Sequence, residues 1–112
     1  MLTYLIVQAF TSRLQFVQQR KTTMIETKIT IINKLGLHAR AASKFVTTSS
    51  AFGCDIRIGK GDQLVDGKSI MSVMMLAASK GTELILQFDG DDEARALEAV
   101  TALINNRFDE DE

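Results

Sequence analysis

His38 is the only histidine in the 112-residue chain, and Arg40 follows it two positions later, just past the turn-prone Gly36-Leu37. An imidazole in such a place can serve as nucleophile, proton carrier or metal ligand. One histidine and one cysteine, Cys54, exclude the two-histidine zinc motifs and the common thiolate clusters, so neither a metal nor another cofactor is expected. No Ser-His-Asp order can be assigned to one histidine among many serines, and no pair of carboxylates stands out from the solvated acids. Phosphate chemistry remains. If His38 opens a helix, the free amides of the first turn make an anion site at the positive end of the dipole, with Ala39 and Arg40 as backbone donors and the Arg40 guanidinium as a charged fork. The same field disfavours a second proton on the ring and leaves one nitrogen with a lone pair for attack on phosphorus. Spacing alone also admits a plainer reading, an exposed cap-like histidine.

The elements that must position these residues are legible from residue 25 onward. Ile25, Thr27, Ile29 and Ile31 alternate with Glu26, Lys28 and Thr30, which is the period of a half-buried strand. Asn33-Lys34-Leu35-Gly36 ends it, and Ala42, Phe45 and Val46 place a helical stripe within about 39–50. Cys54, Ile56 and Ile58 alternate in a second strand, and a turn at Gly59-Lys60-Gly61-Asp62 leads to a short third strand around Leu64 and Val65. Ser69 is the expected N-cap of a short apolar helix with Val73 and Leu76 as core, and Ile70, Met71 and Met74 fall at spacing that also suits a core. Leu84, Leu86 and Phe88 mark a fourth strand. Gly90-Asp91 caps a last helix with Ala94, Leu97, Val100 and Ile104 on its stripe. The order β-α-β-β-α-β-α predicts an α+β fold of two layers, an open-faced sandwich of a largely antiparallel four-stranded sheet with three helices on one face.

Composition narrows the class further. With 46% hydrophobic and 24% charged residues the chain is an ordinary globular domain, too short for two cores. A net charge of -1 offers no footprint for nucleic acid or an acidic membrane. No stretch is apolar and long enough for membrane insertion, and the start lacks a basic n-region, so a cytoplasmic location is expected. Residues 1–23 carry three of the thirteen bases and none of the fourteen acids. They form either a basic amphipathic helix or, the reading favoured here, an N-terminal extension outside the domain, with Met24 as its natural start. Asp109-Glu110-Asp111-Glu112 is expected to be a solvated, frayed end, so 107–112 is read as an acidic C-terminal tail. Cys54, in register with Ile56 and Ile58, reads as a small buried hydrophobe.

Two motifs then converge. Gly36-Leu37-His38-Ala39-Arg40 with Ala42, and Gly67-Lys68-Ser69-Ile70-Met71-Ser72-Val73-Met74 followed by Lys80-Gly81, resemble the histidine-containing phosphocarrier family, HPr, of the bacterial phosphotransferase system. The resemblance covers about 24–106. It implies a relay, not a stand-alone catalyst: His38 is charged by a phosphoenolpyruvate-dependent enzyme I and discharged onto an enzyme II A-type domain, with Arg40 and the first-turn amides supporting the phosphate. It implies the same open-faced sandwich, and a monomer is expected. Ser69 matches a serine that an HPr kinase/phosphorylase modifies in some lineages, and Ile70, Met71 and Met74 match a partner-docking segment. The alternative function is a regulatory interaction module controlled by phosphorylation of Ser69. Family members commonly carry proline directly after the motif arginine, where this chain has Ala41. The resemblance leaves open whether the carrier serves sugar transport or a regulatory, nitrogen-related branch.

Overall fold

Four strands take the apolar alternation onto one face, and three helices cover it. The computed structural model describes residues 24–112; the 1–23 extension lies outside the described residues. In chain order the elements are β1 (Ile25–Thr30), α1 (Ala39–Ser50), β2 (Asp55–Lys60), β3 (Gln63–Asp66), α2 (Ile70–Met75), β4 (Glu83–Asp89) and α3 (Glu93–Asn105), followed by a 3-10 turn at Arg107–Asp109. The sheet runs β1-β4-β2-β3 with every neighbouring pair antiparallel. Register aligns the apolar positions into rows: Ile25, Phe88 and Ile56; Thr27, Leu86, Ile58 and Val65; Ile29 and Leu84. Such cross-strand neighbours are the unit of sheet stabilisation. The opposite face is polar, and Gln87 Nε2 there donates to Glu26 Oε1 at 2.7 Å.

Each helix contributes its stripe to this core. Ala41, Ala42 and Phe45 of α1, Val73 of α2 and Ala96, Val100 and Ile104 of α3 are buried, and α3 packs on β1 and β4 while α1 lies against both other helices. Of the expected stripe of the last helix, Val100 and Ile104 are buried and Leu97 packs on the core, but at its start Ala96 is buried in place of the exposed Ala94. Its N-cap is Asp92, not the expected Gly90-Asp91. The Asp92 carboxylate caps no amide of its own helix and instead accepts from the backbone amides of Gly53 and Cys54, both at 2.9 Å. That ties the loop after α1 to the start of α3. Gly90 has φ +154°, and a Cβ there would lie 2.6 Å from the Cβ of Cys54, so this crossing admits only glycine.

One expectation fails outright. The acidic segment 107–112 is not a frayed, solvated tail. Phe108 is fully buried and joins the core, and Arg107, Phe108 and Asp109 all take positive φ, at 59°, 53° and 63°. Three successive left-handed residues cost about 1–2 kcal/mol each. Burial of the phenylalanine ring returns about 3 kcal/mol, and the segment's own hydrogen bonds offset the rest: Asn106 Nδ2 donates to Asp109 Oδ1 at 2.7 Å and the Arg107 guanidinium to the Asp111 carbonyl at 2.9 Å. The charge pattern suggested solvation; a single aromatic among the acids reverses it.

Candidate functional site: a histidine at the start of α1

The site begins with Gly36. Its φ of +67° is open to glycine at no steric cost, and an added Cβ would lie 2.5 Å from the Ala78 carbonyl oxygen. This close approach lets the Leu37 amide donate to that same carbonyl at 2.8 Å, while Asn33 Nδ2 donates to the Gly36 carbonyl at 2.9 Å. Leu37 is then buried and the next residue is turned outward at the helix start. His38 is the N-cap of α1, with extended backbone angles and its carbonyl accepting from the Ala42 amide at 2.8 Å. Its ring makes no capping hydrogen bond to the helix, and no acid stands in the first turn. The leading amides of Ala39 and Arg40 are those that an α-helix leaves without an internal partner. Ala41 is fully buried within the first turn.

His38, Ala39 and Arg40 line one wall of an open cleft of about 890 Å³, and Lys34, Leu35 and the segment Asp109–Glu112 line the rest. The structure thus brings the predicted acceptor, its supporting amides and its arginine into one site. The side chain of His38 is 29% exposed, so it is reachable yet held. What holds it is Glu110: His38 Nε2 is hydrogen-bonded to Glu110 Oε2. The other carboxylate oxygen, Oε1, accepts from Nδ2 of the buried Asn33 at 2.9 Å. Burial by itself would raise the Glu110 carboxyl. The hydrogen bonds from Asn33 and His38, with the nearby positive charge of Arg40, outweigh it and hold the group below the ordinary range. Nδ1 of His38 has no hydrogen-bond partner among the described residues.

Further contacts keep the segment in place. The Lys34 amide donates to the Glu112 carbonyl at 2.6 Å, and Lys44 Nζ lies 3.5 Å from Asp109 Oδ2. Sequence reasoning missed Glu110 and Asn33 altogether. The available signal was Phe108, an isolated large aromatic inside a charged run.

The second motif lies elsewhere. Ser69, Ile70, Met71 and Met74 do not line the cleft; they belong to α2 and its start, which packs against α1. Ser69 is the N-cap of α2, its Oγ accepting from the Ser72 amide at 3.3 Å. Ile70, Met71 and Met74 are exposed, whereas Val73 and Leu76 are buried. Cys54 is buried, and desolvation together with the neighbouring Asp92 pushes its thiol up to about 11. Among the described residues no three His, Cys, Asp or Glu side chains gather as a metal site, and no helix is long and apolar enough to cross a membrane.

Comparison with known proteins agrees with this geometry. The family described as "PTS HPr component phosphorylation site" matches residues 25–106. Phosphocarrier protein HPr of Pseudomonas aeruginosa is 60% identical over 86 residues, covering 76% of this chain and 96% of the relative. Phosphocarrier protein NPr of Shewanella violacea is 40% identical over 88 residues, 79% of this chain and 97% of the relative. Among solved structures, the crystal structure of HPr from Thermoanaerobacter tengcongensis superposes with a TM-score of 0.76 at 43% identity, covering 79% of this chain and 99% of that one.

Proposed function

This chain belongs to the HPr family of phosphotransferase-system phosphocarriers, and from that premise we propose that His38 accepts a phosphoryl group from enzyme I and passes it to an enzyme II A-type domain in the cytoplasm. The observation that carries the reading is the imidazole of His38 at the N-cap of α1, unbound to the helix amides and sharing an open cleft with Arg40. With Nε2 engaged by Glu110, the nitrogen available to phosphorus is Nδ1. Its lone pair forms the N–P bond as the bond from phosphorus to the donor breaks with its electron pair. The phosphoryl oxygens gain the first-turn amides of Ala39 and Arg40 and the charged hydrogen bonds of the Arg40 guanidinium. Discharge reverses these steps, with the acceptor's nucleophile taking the phosphorus. The protein is a relay and supplies position and charge, while the enzymes on either side supply the remainder of the chemistry.

The exposed side chains of Ile70, Met71 and Met74 suit docking of such partners, because unbranched methionine adapts to differently shaped surfaces. Ser69, at a helix start that tolerates a phosphate, is the proposed site for an HPr kinase/phosphorylase, and the added charge would burden that docking face. The carrier acts as a monomer in this reading. Mixing the protein with enzyme I and phosphoenolpyruvate tests it: one acid-labile phosphate is expected per chain, and none on His38→Ala. Label persisting on that variant would overturn the assignment.

A further inference from the structure

Glu110 stands outside the motifs that define the relay, yet among the described residues it makes the one side-chain hydrogen bond to the His38 ring. Its carboxylate is oriented from both sides, Oε1 by Asn33 and Oε2 by His38. Asn33 is itself buried and fixed to the Gly36 carbonyl, and the backbone that carries Glu110 is anchored by buried Phe108 through a left-handed turn. The carboxylate is therefore placed by the fold, not by chance encounter on a flexible end. We propose that Glu110 is a positioning residue for the phosphoryl relay: it holds the proton of the His38 ring on Nε2, so that Nδ1 presents its lone pair, and it compensates the positive charge the ring acquires on phosphorylation.

The step balances without an added reactant. A neutral ring bearing its proton on Nε2 uses the Nδ1 lone pair to form the N–P bond, while the donor leaves with the electron pair of the bond that breaks. The ring then carries a positive charge, with the proton still on Nε2 facing the Glu110 carboxylate. On discharge the N–P electron pair returns to Nδ1, and the ring is neutral again. A carboxylate that orients an imidazole and stabilises its cationic form performs the same service in hydrolytic triads. The other charged groups lining the cleft with the ring are Arg40 and Lys34, and the acids Asp109, Asp111 and Glu112. Asp109 is paired with Lys44 and Glu112 with Lys34, and among the described residues Glu110 is the acid hydrogen-bonded to the ring.

This inference rests on the phosphocarrier reading, and the test separates the two. Glu110→Ala and Glu110→Gln would be compared with the wild-type chain, with histidine labelled by nitrogen-15. In the wild type a low-field Nε2–H proton is expected, slowed in exchange with water. It should vanish in Glu110→Ala and survive, weakened, in Glu110→Gln, whose amide oxygen still accepts. Single-turnover transfer from phosphorylated enzyme I should slow about tenfold in Glu110→Ala, the size of one lost charge-assisted hydrogen bond, and recover in part in Glu110→Gln. Ring signals identical in wild type and Glu110→Ala would overturn the proposal, as would transfer that is unchanged or faster once the Nε2–H signal is gone. A wild-type chain that shows the ring signal but takes no phosphate would overturn the carrier reading instead, and with it the role assigned to Glu110.

Discussion

The Nε2 atom of His38 and the Oε2 atom of Glu110, 72 residues apart in the chain, are hydrogen-bonded in the cleft that both residues line. His38 therefore sits between two opposed influences, the positive start of α1 on one side and a carboxylate on the other. One favours a phosphoryl anion and the other a cationic ring. The proposed phosphohistidine would draw on both.

Stability should fall with acid in a way that reports on this contact. Glu110 is held below its ordinary value of 4.5, its hydrogen bonds and neighbouring charges outweighing burial, and Asp92 and Asp109 are lowered too, chiefly by the Gly53 amide and by Asn106. A depressed carboxyl stabilises the folded state in full above its unfolded value and loses that contribution as pH falls through the folded value. Thermal melting is thus expected to weaken below about pH 5. The weakening should be smaller in Glu110→Gln, and equal losses in both proteins would reject the assignment.

Phe108 should behave as a core residue and not as part of a tail. Phe108→Ala is expected to cost about 3 kcal/mol in urea denaturation, as for a buried phenylalanine truncated in a core. The midpoint should shift with the slope unchanged. A loss under about 1 kcal/mol would mean that the segment detaches freely.

Cys54 should resist alkylation in the native protein. Burial and the adjacent Asp92 raise its thiol from 9.0 to about 11, so little thiolate exists near neutrality and access is poor. Iodoacetamide at mild alkaline pH is expected to label it quickly only in denaturant. Rapid labelling of the folded chain would contradict the burial of Cys54 beside Asp92 at the start of α3.

Ser69 gives a prediction that separates capping from regulation. Ser69→Ala removes the acceptor for the Ser72 amide and should cost about 1 kcal/mol. Ser69→Asp keeps an acceptor at the N-cap and adds negative charge where the helix favours it, so its stability should stay near that of the wild type. Phosphoryl transfer from enzyme I should nevertheless slow in Ser69→Asp if α2 is a docking face. Equal transfer rates in all three proteins would remove Ser69 from the regulatory scheme.

Much of this molecule is legible in the sequence, for local reasons. Alternation at Ile25–Ile29 and at Leu84–Phe88 marks strands because side chains repeat every two residues, and Ser69 before an apolar run marks a helix start because its hydroxyl can satisfy a free amide. His38 and Arg40 became a candidate site in the same way, through a turn followed directly by a helix. The start of the last helix is harder to read: Ala94 and Ala96 are equally small, and packing against β1 and β4 buries Ala96, while Leu97, Val100 and Ile104 lie where the spacing puts them.

By itself, then, the sequence determined the element order, the polar and apolar faces, and a histidine poised over helix amides beside an arginine, all set by contacts within a few residues. The tertiary structure alone decided that β4 lies between β1 and β2, that Asp92 binds the loop at Gly53 instead of capping its own helix, and that Glu110 closes on His38. Those relationships join residues far apart in the chain, where no periodicity exists to read. They follow from where buried groups such as Phe108 find room in the core, and that depends on every other element already being in place.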